Sequence, residues 1–147
     1  MNMNKKRLIL LFDCCYIICF IVLSIYQHGN VLSRVEYIRM NREMGFWNYN
    51  LIPLKTIGTQ LSAAYLWDLL IKNLAVTVPL GMALAGMQEK IWKSFLWAGV
   101  VIAVKEILQF VTMTGYFDID DIIINLSGAV LGVFLCKVFK RTAGSKK

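Results

Sequence analysis

Residues 91–111 read IWKSFLWAGVVIAVKEILQFV, and after a short turn residues 119–139 read IDDIIINLSGAVLGVFLCKVF. Each run is apolar over the roughly 20 residues that a helix needs to cross bilayer hydrocarbon. The turn between them, Thr112 to Asp118, is too short for anything but an antiparallel return. Working outward, residues 69–87 form a third such run, joined to the first by only Gln88 to Lys90. Residues 8–26 form a fourth, with Asp13 as its single charge. That first run has the basic start and apolar core of a cleaved signal peptide. No small-x-small cleavage pair follows Tyr26, which favours a retained helix. The expectation is an all-α integral membrane bundle of about four transmembrane helices, 8–26, 69–87, 91–111 and 119–139. One domain covers 1–147, with one longer extracytoplasmic loop, 27–68.

Composition agrees with lipid rather than water. The chain is 58% hydrophobic and 17% charged, with a mean hydropathy of +0.59, outside the range of soluble domains. The net charge of +7 would fit nucleic acid only if the basic residues shared one soluble surface. Instead they flank the apolar runs, so no nucleic-acid partner is expected. The cysteines, Cys14, Cys15, Cys19 and Cys136, all fall inside apolar runs and read as small hydrophobes rather than a disulfide or metal framework. His28 has no cysteine or second histidine at ligand spacing, so no metal site and no cofactor are expected.

Orientation follows from lysine and arginine asymmetry. Lys5, Lys6, Arg7, Lys90, Lys93, Lys137, Lys140, Arg141, Lys146 and Lys147 fall on one side, against Arg34, Arg39, Arg42 and Lys55 on the other. Both termini are therefore expected in the cytoplasm of a multi-pass plasma-membrane protein, with 27–68 outside. Within that segment Phe46, Trp47 and Tyr49 suit the membrane interface, and Pro53 holds Ile52 extended.

The topology assigns a depth to each polar residue in the spans. Lys72 and Asn73 open the second helix, Lys105, Glu106 and Gln109 end the third, and Asp118, Asp120, Asp121 and Asn125 open the fourth. All fall in the outer part of the bilayer, within about two turns of its surface at about 1.5 Å rise per residue. Glu106 and Gln109 share a face at i, i+3, as do Asp118, Asp121 and Asn125 at i, i+3, i+7. A carboxylate in the membrane costs on the order of 3 kcal/mol and usually marks function. Lys105 or Lys72 is expected to pair with Glu106. The plainer readings are helix capping by the aspartates and charge neutralisation by the lysines. Structural roles fall to Pro79, which removes a hydrogen bond to Ala75, to Gly81, and to Gly128 and Gly132, whose GxxxG spacing admits a close backbone or a second copy of the chain.

The segments Asn50-Leu-Ile-Pro53-Leu54, Asn73 through Val78-Pro79-Leu80-Gly81, Lys105-Glu106-Ile-Leu-Gln109-Phe110 and Gly115-Tyr-Phe-Asp-Ile-Asp-Asp121 through Asn125 to Gly128 resemble, in order and spacing, the VanZ-like family. The resemblance covers about residues 48–132, and the combination of E-x-x-Q with D-x-x-D-x-x-x-N is its specific part. It implies a small bacterial membrane protein related to the one associated with low-level resistance to teicoplanin, a lipoglycopeptide antibiotic. Asn73, Pro79, Glu106, Gln109, Asp118, Asp121, Asn125 and Gly128 carry over as family residues. Two departures stand out: Leu54 and Leu80 stand where many members have phenylalanine, and Gly115 and Tyr116 stand where many carry an arginine.

Three functions remain open on this reading. The first is a non-enzymatic resistance protein whose outward polar pocket, built from Asn73, Glu106, Gln109, Asp118, Asp121 and Asn125, binds a lipid-linked cell-wall precursor or the lipoglycopeptide itself. The second is a small enzyme acting on an envelope lipid headgroup, with Glu106 or Asp121 as general base. It lacks a nucleophile with an adjacent base and a phosphate-binding loop. The third is transport of a small solute, for which the apolar inner halves of the helices offer no continuous path.

Overall fold

A computed structural model describes residues 3–26, 30–59, 63–88 and 90–144; His28, Lys146 and Lys147 lie outside them. The element order is α1 (Met3–Tyr26), α2 (Val31–Glu43), β1 (Tyr49–Asn50), α3 (Lys55–Thr59), α4 (Ala63–Met87), α5 (Ile91–Val111), β2 (Phe117–Asp118) and α6 (Ile119–Gly144). Four helices are long and apolar enough to cross a membrane, over Arg7–Tyr26, Leu66–Met87, Ile91–Val111 and Ile119–Thr142. They form the all-α bundle. The segment between α1 and α4 is more structured than a loop, and α4 begins before Leu69. Asp68 lies inside it and meets Lys72 one turn on, at 2.6 Å.

The core forms where the four long helices meet, around Phe20 of α1, Leu80 and Leu84 of α4, Ala98, Val101 and Ile102 of α5 and Ala129 of α6. The tightest seam runs between α4 and α6. A Cβ on Gly81 would land on the Ala129 carbonyl, one on Gly128 on the Thr77 hydroxyl, and one on Gly132 on the Val78 carbonyl. Lipid supplies no hydrophobic drive between helices, so such close packing is what holds them. The GxxxG face of α6 is thereby occupied by α4 within the same chain. Pro79 lies inside α4, and nearby the Tyr16 hydroxyl of α1 donates to the Val76 carbonyl at 2.7 Å. Cys14, Cys15 and Cys19 of α1 are exposed.

At one end of the bundle the chain between α1 and α4 folds back over the α5–α6 turn. The Asn30 side chain caps α2 by accepting from Leu32 N–H at 3.0 Å. Gly45, at φ +87°, ends α2 with paired bonds from Gly45 N–H to the Arg42 carbonyl and from Phe46 N–H to the Asn41 carbonyl. Helix α5 closes the same way, with Met113 at φ 57° and Thr114 N–H on the Gln109 carbonyl at 3.0 Å. The two turned segments then pair as a short parallel ladder, Tyr49 with Phe117 and Asn50 with Asp118. This ladder brings residues far apart in sequence to one place.

Candidate functional site: a polar cavity at the ladder end

Asn48, 2% exposed, fixes the approach of the 44–50 segment to the turn. Its amide donates to the Gly115 carbonyl at 2.7 Å, and its backbone carbonyl accepts from Phe117 N–H at 3.0 Å. Arg42 of α2 donates Nε–H to Asn48 Oδ1 at 2.7 Å and Nη2–H to the Phe110 carbonyl at 2.8 Å. Its guanidinium also lies over the rings of Trp47 and Phe110. Helix α2 is thus latched to the end of α5 by one arginine. A second, Arg34, donates from Nη1 to the Thr114 carbonyl at 3.1 Å. Burial draws the Arg34 guanidinium below its ordinary value and pushes the neighbouring Tyr116 phenol above its own. A guanidinium stays charged in proteins, so Arg34 is a cation beside the turn.

The aspartates at the start of α6 divide the work. Asp118 receives Thr56 Oγ1–H on Oδ2, and on Oδ1 the Asn50 amide at 3.2 Å and Asp120 N–H at 2.9 Å, the last opening α6. Asp120, fully buried, accepts from three backbone N–H groups, those of Leu54, Thr56 (2.8 Å) and Ile57 (3.1 Å), and so ties the start of α3 to α6. A carboxylate with that many donors is stabilised despite its burial. Asp121 is different. Among the described residues it neither accepts a hydrogen bond nor forms an ion pair, and it lines a cavity of about 540 Å³. Lys55, Thr56, Arg34, Gln109 and Asp118 share that cavity wall.

Below it lies a buried polar layer. Glu106, with no exposed surface, meets Lys105 Nζ at 2.7 Å, while its Oε2 accepts no hydrogen bond among the described residues. The charge of Lys105 also acts on Asp121. Both side-chain polar atoms of Asn125 are buried without a hydrogen bond among the described residues. Gln109 donates from Nε2 to the Ser24 carbonyl of α1 at 2.8 Å, Asn73 to the Leu69 carbonyl at 2.9 Å, and Thr77 to the Asn73 carbonyl at 2.7 Å.

The six residues grouped by the sequence therefore separate. Gln109, Asp118 and Asp121 line the cavity together with Asn50, whereas Asn73, Glu106 and Asn125 are buried in the bundle. Of the two lysines, Lys105 is the partner of Glu106, and Lys72 pairs with Asp68 on the exposed flank of α4. Sequence reasoning missed Arg34, Lys55 and Thr56 as neighbours of the site, and Arg42 and Asn48 as its scaffold. Only Asn48 carried a local signal, since Asn48 and Asn50 stand two apart and so face one side of an extended segment.

The likeness of the chain to known proteins rests on a family model, VanZ/LLP1, which matches residues 10–140. The chain belongs to the VanZ/LLP1 family. No curated protein and no solved structure gives a significant match. The VanZ/LLP1 match reaches well beyond 48–132 and takes in α2, whose Arg34 brings a guanidinium to the turn where this chain has Gly115 and Tyr116.

Proposed function

We propose that this VanZ/LLP1 protein lowers sensitivity to lipoglycopeptide antibiotics of the teicoplanin type, as a non-enzymatic protein of the bacterial plasma membrane. Its polar cavity faces outward and receives a polar headgroup, either that of a lipid-linked cell-wall precursor or the drug's own. The observation that carries this reading is Asp121. Three acids stand within four residues, two of them are consumed by Thr56, Asn50 and backbone N–H groups, and the third lines the cavity with no side-chain hydrogen bond or ion pair among the described residues. An acceptor held in that way is ready for a ligand's donor. Glu106 has no exposed surface and is ion-paired, which speaks against its acting as a general base on a bound solute.

The test is teicoplanin sensitivity of a host with and without the chain, with vancomycin as a comparator lacking the acyl tail. Asp121→Asn is expected to abolish protection while membrane abundance stays at the wild-type level. Full protection by a well-expressed Asp121→Asn protein would remove the cavity from the account.

A further inference from the structure

A second cavity lies along the flank of the bundle. It is a groove of about 550 Å³ between α1 and α4, walled by Tyr16, Cys19, Phe20, Leu23, Ala75 and Val76. Ser24, Tyr26 and Lys72 form its rim on the ladder side. The groove and the polar cavity adjoin. Ser24 belongs to the groove and Gln109 to the cavity, and the Gln109 amide donates to the Ser24 carbonyl at 2.8 Å. On α4, Leu69 lines the cavity and Lys72, one turn deeper, lines the groove. A polar chamber at the end of the spans therefore stands beside an apolar slot on the flank of the bundle, the order of headgroup and tail in one lipid.

The charges of the chamber select among headgroups. Asp121 is an acceptor only, so it calls for a donor-bearing cation. Lys55 and Arg34 stand on the same wall, and each offers positive charge to an anion. A headgroup with one primary ammonium and one phosphate satisfies both. An anionic headgroup without an amine would offer Asp121 no donor and leave it to share the Lys105 charge with Glu106, and a quaternary amine has no N–H to donate to it. We infer that the chamber and groove together bind one membrane aminophospholipid of the phosphoethanolamine type, with the ammonium on Asp121, the phosphate beside Lys55 and Arg34, and an acyl chain between α1 and α4. This rests on the headgroup-binding reading above and adds a bilayer lipid to the precursor and the drug as occupants of the same chamber. Lipid is as apolar as the groove, so the chain adds geometry and the headgroup supplies the selectivity.

The test uses the full chain in phosphatidylcholine nanodiscs doped with a phosphatidylethanolamine that carries a photoreactive group in its acyl chain, the cross-links being mapped by mass spectrometry. Two further measurements accompany it. Soluble glycerophosphoethanolamine is tested for protection of Lys55 from amine-reactive labelling, and Asp121→Asn and Ala75→Phe, both checked for wild-type elution and helicity, are compared with the parent. The expected result is cross-linking concentrated at Cys19, Leu23, Ala75 and Val76. It should fall about tenfold with Asp121→Asn or with a choline headgroup, the scale of one charge-assisted hydrogen bond. Ala75→Phe should remove the cross-links while glycerophosphoethanolamine still protects Lys55. Protection of Lys55 with cross-links spread evenly over all four helices would overturn the groove assignment and leave headgroup binding standing. Groove cross-links indifferent to headgroup and to Asp121→Asn would mean ordinary boundary lipid, and would overturn the inference. Protection of Lys55 by teicoplanin but not by glycerophosphoethanolamine would overturn the lipid and keep the drug as ligand. No protection by either would overturn both readings.

Discussion

Lys105 and Glu106 are consecutive in the chain and both buried, so their charges were removed from water together. Taking each from water costs several kcal/mol even after relaxation, and mutual attraction at 2.7 Å offsets that cost only while both are present. Their energetic weight therefore lies in the pair. Lys105→Met alone is expected to destabilise the bundle by about 3–5 kcal/mol, because it strands Glu106, and Glu106→Gln alone should strand Lys105 similarly. The double variant should recover most of that loss. Denaturant unfolding in mixed micelles checks this, and additive losses in the double variant would show that the two groups act separately. At this scale the sequence was only partly legible. Spacing identified Glu106 and its neighbouring lysine, and placed Asp118, Asp121 and Asn125 on one stripe. It could not divide the aspartates, because the groups that occupy Asp118 and Asp120 come from residues 50–57, more than 60 positions away by the bonded pairs.

At the scale of elements, the seam between α4 and α6 depends on the absence of side chains at three places. Gly81 meets the Ala129 backbone and Gly132 the Val78 backbone, so an added methyl cannot be accommodated by a rotamer change and the helices must separate. Gly99 of α5 supplies a contrast, since a Cβ there meets nothing within 4 Å and its φ is ordinary. Gly81→Ala is expected to lower stability by about 1–3 kcal/mol, the usual cost of forced overpacking. Gly99→Ala should be neutral or stabilising by up to about 1 kcal/mol, from the helix propensity of alanine. Thermal unfolding of both variants in one detergent makes the comparison, and equal losses would mean that the seam is not the cause. The four long helices were legible because apolar length alone specifies a span. The ladder and α2 were not, because Tyr49 and Phe117 pair across nearly half of the chain and α2 has no apolar stripe to announce it. Its position is set by Arg42 acting on a carbonyl at the end of α5 and Arg34 on one in the turn that follows.

For the whole molecule, the bundle brings its chemistry to one end. Asp121, Lys55, Arg34 and Gln109 all open on the ladder side, and the opposite end carries Lys90, Lys93, Lys140 and Arg141. At that opposite end Lys140 donates to the Ala85 carbonyl at 3.0 Å, and Asp13 of α1 lies within range of its charge. The proposed function requires these basic residues on the cytoplasmic side, which is where lysine and arginine flanking short loops are retained during insertion. The ladder end would then meet the outer leaflet, where an acylated drug and its target are found. The orientation can be measured apart from any ligand. In a background with the four native cysteines replaced by serine, Tyr116→Cys and Lys140→Cys sit at exposed positions on the two ends. A membrane-impermeant maleimide added to intact cells is expected to label position 116 and to leave position 140 unlabelled until the cells are opened. The reverse pattern would put the cavity in the cytoplasm, where a protective role against an external lipoglycopeptide could not operate through it, though the Lys105–Glu106 pair and the glycine seam would be unaffected.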